Sequence, residues 1–500
     1  MEAVLVISAV ATALSFPPVR AWWLLLVAPA LWLWVLRQAV GRQRVWLGFG
    51  WGLLFAAVQS VWALPTLAQR AQAEWAAGIA WAILLGWYGC WCALFGWLMG
   101  LVKGSGSGWA VAAASAWVGV SWLRSVGSLG FPWAMLSLPL ARFPLLLQPA
   151  ELGGIWLVEW LLILWNALLA QGIEQRRGHV FVTPLILLGL WVGVSGWLWW
   201  WAGATVPSAT MRVAVLQPEY DASRVAFSST WYDANMERLL KEAHQAGAHW
   251  AVLPESSDLY CWSSLHDPER LKWWRQRARQ WNLRLLVGVS RHGGEHGYNS
   301  ALALAPEGAP TFYDKVKLMP FVERAPPPLL ARWLRVLGAA QGPLREGQRA
   351  HALQLAKEPA VGAQICYECL FGWIGVQQVR DGAQWLAAMA NDQWLLGQAV
   401  REQYADYCVV RAIEVRRWLV RASSVGPSGF FSPQGERWTL PMGRPQMAVR
   451  SIGCSSVQTL YARWGDYWGY GSWLIYVGVV AWLWRRQMLR VAAQPRPFIP

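Results

Sequence analysis

Gly362-Ala363-Gln364-Ile365-Cys366-Tyr367-Glu368 reads as a short buried strand that ends on a cysteine, with a carboxylate two residues further on. A thiol at a strand end is presented to a pocket while the sheet holds it rigid. To act as a nucleophile it needs a base to remove its proton and a cation to favour the charge. Two other strand ends supply such groups: Trp250-Ala251-Val252-Leu253-Pro254-Glu255 and Phe312-Tyr313-Asp314-Lys315. Glu255 is placed to act as base and then as acid. Lys315 is placed to stabilise an oxyanion and to lower the pKa of Cys366.

Around these stretches, strands and helices alternate. A strand at 211–218 is followed by a helix at 229–246 and by the strand that ends at Glu255. A basic, aromatic helix lies at 268–281, with strands at 283–290 and 300–304 and a Pro-Glu-Gly turn at 306–308. The strand ending at Lys315 and a Pro-rich loop at 325–328 lead to the Cys366 strand. Beyond it come a helix at 371–381, a strand at 384–389, a long helix at 398–416 and strands at 418–423 and 428–431. This alternation predicts an α/β layered domain.

The rest of the chain has another character. Of 500 residues, 56% are hydrophobic, only 14% are charged and 41 are tryptophan, whereas a soluble protein carries about a quarter charged residues. Apolar runs fall at 3–17, 21–36, 45–64, 76–102, 109–123, 152–171, 180–201 and 471–484, each near the ~20 residues that cross a bilayer. They predict a polytopic α-helical membrane domain of about eight spans. Seven fall in residues 1–202, a catalytic domain occupies 203–470, and the eighth span with a basic tail occupies 471–500. The first run lacks a basic leader and an A-x-A site and meets Phe16-Pro17-Pro18, so it reads as a retained span.

The net charge of +15 does not point to nucleic acid. Residues 1–202 and 471–500 hold 14 Lys/Arg against 5 Asp/Glu, and the remaining surplus of 6 is spread over 203–470 without a block of like charge. With both termini inside, ten cationic residues lie in inside segments and four (Arg20, Arg70, Arg124 and Arg142) in outside loops. The positive-inside bias then sets 203–470 outside the cytoplasm. Glu159 stands within an apolar run, where an acid needs a partner; Arg124 and Arg142 are its candidates, the alternative being a functional role. The seven cysteines are scattered, so no disulfide framework is legible. Cys366-x-x-Cys369 has redox or zinc spacing, but no second ligand pair accompanies it. Gly104-Ser105-Gly106-Ser107-Gly108 reads as a connector rather than a phosphate loop. Neither a metal nor a cofactor is expected.

Several motifs carry a resemblance. Pro254-Glu255, Tyr298-Asn299-Ser300-Ala301-Leu302, Tyr313-x-Lys315-x-x-Leu318-x-Pro320-Phe321-x-Glu323, Ile365-Cys366-Tyr367-Glu368 and Asn391-Asp392-x-Trp394 resemble the nitrilase, or carbon–nitrogen hydrolase, superfamily. Phe16-Pro17-Pro18, Gly130-Phe131-Pro132-Trp133, and Arg411-Ala412-Ile413-Glu414 ahead of Ser432-Pro433-Gln434-Gly435 are similar to its membrane branch, the apolipoprotein N-acyltransferases. The resemblance implies an α-β-β-α sandwich and a ping-pong reaction in a bacterial inner membrane, on the periplasmic side. Cys366 would take a fatty acyl group from a phospholipid as a thioester. The α-amine of a diacylglyceryl-cysteine at a lipoprotein N-terminus would then accept it. Glu323 and Glu368 match acids that position Lys315 and the pocket, and Tyr367 matches a pocket residue. A monomer is expected.

The chain also departs from the family pattern. Gln217-Pro218-Glu219-Tyr220 stands where Gln-Gly-Asn is usual, Gln403-Tyr404-Ala405-Asp406 where Gln-His-x-Gln is frequent, and Ser423-Ser424-Val425-Gly426 where Thr-Asn-Thr-Gly is frequent. None touches the triad. They leave open a divergent enzyme that acylates another amine or hydrolyses an amide, as in conjugal-transfer homologues, and a silent membrane assembly factor. Cys369 is expected to face away from the nucleophile.

Overall fold

The computed structural model describes residues 1–71, 74–103, 106–175, 181–205, 207–218, 229–294, 296–324, 336 and 344–492. The Pro-rich loop at 325–328, Glu219 and Tyr220, the Gly104-Ser105 connector, Arg176, Arg177 and the end of the basic tail lie outside them. Helices occupy every expected apolar run: the seven N-terminal runs hold α1 (Glu2–Leu14), α2 (Ala28–Gln38), α3 (Gln43–Gln59), α4 (Ala63–Arg70), α5 (Glu74–Leu101), α6 (Ser107–Ser125), α7 (Ala150–Gln175) and α8 (Val182–Ala204), and the run at 471–484 lies within the last helix of the chain.

Among the described residues, α5, α7 and α8 are long and apolar enough to cross a membrane. A fourth crossing results if α3 and α4, bent by 69° at their break, form one span. Length and composition therefore mark three to four crossings where about eight were expected. The reasons are local. Helix α1 has 13 residues, only ~20 Å at 1.5 Å per residue. The run at 21–36 begins as a 3-10 turn, Trp22–Leu26, before α2 starts.

The α/β half contains β1 (Ala209–Gln217), α9 (Ser229–Gln245), β2 (Trp250–Val252), β3 (Cys261–Trp262), α10 (Pro268–Gln280), β4 (Arg284–Gly293), β5 (His296–Leu304), β6 (Thr311–Asp314) and β7 (Val361–Ile365). Then come α11 (Gly372–Arg380), β8 (Trp385–Ala390), α12 (Gln398–Val415), β9 (Leu419–Ser423), β10 (Gly429–Phe431), β11 (Arg437–Thr439) and β12 (Gln446–Cys454), with α13 (Leu460–Trp464) and α14 (Tyr467–Ala492) closing the chain. One sheet has the order β12-β1-β2-β4-β5-β6 with β3 paired to β4; the other has the order β11-β10-β9-β8-β7.

Side chains alternate across each strand, and in the first sheet both faces are apolar. Ala214, Leu216, Ala251, Leu285, Val287 and Leu302 pack on Met236, Leu239 and Leu240 of α9 and Trp274 of α10. Val213, Val215, Val252, Leu286 and Ala301 face the other way, into one core with Val361, Ala363, Ala387 and Met389 of the second sheet. Trp250 and Trp385 meet edge to face there, centroids 5.4 Å apart. Residues of α11 and α12 join that core. The layering is α-β-β-α, as the resemblance implied.

Helix α12 is the seam between the halves. Tyr407 donates to the Pro132 carbonyl at 2.5 Å, and Arg142 pairs with Glu402 at 2.9 Å. Helix α7 is broken at Gly153-Gly154, where φ of Gly154 is 69°. The N–H of Ile155 just past the break donates to Glu414 at 2.9 Å. A side chain at Gly154 would strike the Tyr461 ring at 2.5 Å. Glu159 is buried and accepts from Trp117 (2.8 Å), the Leu136 amide (3.2 Å) and Ser137 (3.2 Å). Its hydrogen-bond donors are thus neutral groups that pin the 136–137 loop; of the two expected cations, the buried Arg124 is close enough for its charge to act on Glu159, and Arg142 is committed to Glu402.

Candidate active site

Each triad candidate sits just beyond a strand end. Glu255 follows β2, and its backbone lies hard against β4. A Cβ on Gly288 would stand 2.4 Å from the Pro254 carbonyl oxygen and 2.6 Å from Glu255 Cα, so only glycine fits. Lys315 follows β6, its amide held by the Asn299 carbonyl of β5 at 2.9 Å. Cys366 follows β7 and opens a 3-10 turn, Cys366–Leu370. Its φ is 51°, a left-handed conformation that a side chain adopts at a cost; Ser256 beside Glu255 (55°) and Phe321 ahead of Glu323 (62°) share it.

Glu255, Lys315 and Cys366 line one cavity of about 250 Å³ with Ser256, Ser290, Asn299, Met319, Val322, Glu323, Leu344, Asn391 and Trp394. A second cavity of about 240 Å³ shares Glu255, Ser256, Ser290 and Asn391 with it. Glu255 is fixed from both oxygens: Oε1 accepts from Asn299 Nδ2 at 2.7 Å and Oε2 from the Asn391 amide at 2.8 Å. Lys315 Nζ lies 2.7 Å from Glu323 Oε1 and 3.6 Å from Glu255 Oε1. Glu323 Oε2 accepts from the Met319 amide at 2.8 Å.

Burial sets the charges. It raises the Glu255 carboxyl above the ordinary carboxylate range, with Lys315 opposing and Glu323 reinforcing the shift. It pulls Lys315 down, but Glu323 and Glu255 outweigh it, so the ammonium stays above its usual value. Burial and the Glu255 charge push the Cys366 thiol well up against Lys315. A neutral thiol beside a proton-seeking carboxylate and a fixed cation is set for deprotonation in concert with attack.

Glu368 is fully buried and joins two of these loops. Its Oε1 accepts from Tyr313 Oη (2.7 Å) and the Val316 amide (2.7 Å), and its Oε2 from the Ile365 amide (2.8 Å). Burial raises its pKa from 4.5 to about 7. Tyr367 points elsewhere: its hydroxyl donates to the Gly130 carbonyl at 2.5 Å and its ring packs on Phe371. Among the described residues it is not in the cavity lining.

Three contributors were not singled out for a role from sequence. Asn299 and Asn391 lie within quoted motifs, which was their signal. Tyr404, on α12, places its hydroxyl 4.0 Å from Cys366 Sγ; its signal was a departure from a family pattern. Of the other departures, Ser424 lines the second cavity beside Glu255, and the remainder make structural contacts. Gln403 accepts from Gln59 at 2.8 Å, Asp406 pairs with Arg437 at 2.8 Å, Ser423 donates to Asp392 at 2.7 Å and Ser424 to Asn391 at 2.8 Å. Cys369 is not among the described residues that line the cavity, and its sulfur lies 3.5 Å from that of Cys408 on α12.

Comparison with known proteins yields a consistent set. Residues 8–168 match the family model of the apolipoprotein N-acyltransferase N-terminal domain, and residues 212–458 match that of carbon-nitrogen hydrolase. The apolipoprotein N-acyltransferase of Gloeobacter violaceus is 28% identical over 461 residues, covering 90% of this chain and 83% of that one. Its Vibrio vulnificus counterpart is 26% identical over 503 residues, covering 95% of each. Among solved structures, the C. elegans NitFhit protein aligns with a TM-score of 0.40 at 18% identity, over 52% of this chain and 65% of that one.

Proposed function

This chain belongs to the apolipoprotein N-acyltransferase family, and on that premise we propose that it is a bacterial inner-membrane enzyme that N-acylates lipoproteins through a Cys366 thioester. Residues 203–470 form its catalytic domain on the periplasmic side, between the seventh and eighth of about eight spans. Glu255 takes the Sγ proton as sulfur attacks the ester carbonyl of a phospholipid. The oxyanion forms beside Lys315, and the lyso-phospholipid alcohol departs with the proton returned by Glu255. The α-amine of the diacylglyceryl-cysteine then attacks the thioester and Glu255 takes its proton; as the C–S bond breaks, Glu255 returns that proton to Sγ, releasing the amide and the Cys366 thiol. Glu323 and Glu368 hold Lys315 and the loop between them. Tyr367 acts through the Gly130 loop.

The observation that carries this reading is the convergence of Glu255, Lys315 and Cys366 on one cavity whose other walls include Met319, Val322, Leu344 and Trp394, apolar surface of the kind an acyl chain needs. The test is intact-protein mass spectrometry of the purified enzyme incubated with phospholipid and no acceptor. A fatty-acyl mass that hydroxylamine removes and that Cys366→Ala lacks is the expected result. A folded wild type that gains no such mass would be an amide hydrolase or a silent scaffold instead.

A further inference from the structure

The mechanism makes no use of Cys369, three residues past the nucleophile, or of Cys408 on α12. Cys369 and Cys408 are both buried, and their sulfurs are 3.5 Å apart with neither bonded. A disulfide has an S–S length of about 2.05 Å, so the two sulfurs need to approach by only ~1.5 Å. The two contacts between the nucleophile turn and α12 run in step. Cys366 meets Tyr404, and Cys369, three residues on, meets Cys408, one helical turn on. The Cys408 hydrogen bond also holds Cys369 below the ordinary thiol value, with burial opposing and Arg411 and Arg421 assisting.

We propose that Cys369 and Cys408 are a modification site, oxidised to an intramolecular disulfide that staples the nucleophile turn to α12. The inference rests on the periplasmic placement proposed above, since exported regions meet oxidants that the cytosol lacks. The two thiols give up two protons and two electrons and form the Sγ–Sγ bond. The disulfide of a thiol-disulfide oxidant accepts them and becomes a dithiol. Oxidation takes place during folding, before α12 covers the turn. The bond also removes Cys369 as a competing partner for Cys366, three residues away.

The test uses the full-length protein in membranes, denatured with N-ethylmaleimide and no reductant, then mapped by mass spectrometry. The expected result is a linked pair of peptides, two hydrogens lighter, with complete loss of maleimide at both cysteines. Cys408→Ser or, should that variant misfold, Cys369→Ala frees the remaining thiol for full labelling. Exposed Cys261 reports orientation in the same membranes, through a membrane-impermeant maleimide added before denaturation. If Cys261 is reached from outside and Cys369 and Cys408 both carry label, the proposal is overturned. If Cys261 is shielded, the orientation fails instead, and the pair is judged in purified protein unfolded in denaturant and refolded with oxidised glutathione. Linkage there supports the site and its absence overturns it.

Discussion

Cys366 holds its sulfur on a backbone twisted to φ 51°, and within the α/β half it is Glu368 that braces it. That carboxylate accepts hydrogen bonds from Ile365 behind the nucleophile and from Tyr313 and Val316 beside the lysine. Glu368→Gln turns one accepting corner into a donor facing a donor, so a loss of about 1–3 kcal/mol is expected, read as a lower thermal midpoint. Because the folded protein binds the Glu368 proton more tightly than the unfolded chain, its contribution is intact below pH 4.5 and is lost as pH rises to about 7. The Gln variant should lose that slope. Glu255→Gln should slow thioester formation by roughly 10²–10⁴-fold, the usual contribution of a general base, with the fold preserved. At this scale the sequence was informative, since Glu255, Lys315 and Cys366 each close an apolar run. Tyr404 was not legible as a neighbour of the thiol, because nothing local reveals which helix packs on a strand end.

Elements were legible where their pattern is local. The strands leading to Glu255 and Cys366 announce themselves by buried, mostly apolar residues ahead of a polar stop, and the strand leading to Lys315 by two aromatic residues ahead of Asp314. β12 does not: Gln446–Cys454 mixes polar and apolar residues and is only partly buried. Its position comes from pairing with β1 along the whole register, Ala209 with Cys454 through Gln217 with Gln446, a partner more than 200 residues away. The close approach of β2 to β4 at Gly288 yields a sharp expectation. Gly288→Ala drives a methyl into the backbone that carries Glu255. Overpacking of about 1–3 kcal/mol follows, and acyl-enzyme formation should fall at least as far as in a control substitution of equal destabilisation elsewhere in β4. Equal activity in the two would show that the approach does not aim Glu255.

Across the whole molecule, apolar runs marked where the helices lie, while among the described residues length and composition single out three to four of them as crossings without confirming all eight. The halves are joined by buried polar ties. Glu414 meets both Arg411, at 2.9 Å, and the Ile155 amide freed by the break in α7. Glu414→Ala strands a buried guanidinium and an amide together, a loss of about 3–5 kcal/mol, visible as a fall in the melting temperature of the detergent-solubilised protein. Tyr367 to Gly130 and Tyr407 to Pro132 have a further consequence. The turn bearing the nucleophile borrows its rigidity from a loop of the helical half. An excised α/β fragment would keep every reactive side chain and still lack a working site. In chimeras between relatives, the 127–133 loop should therefore be inherited with residues 366–372 and 403–414 as one cassette.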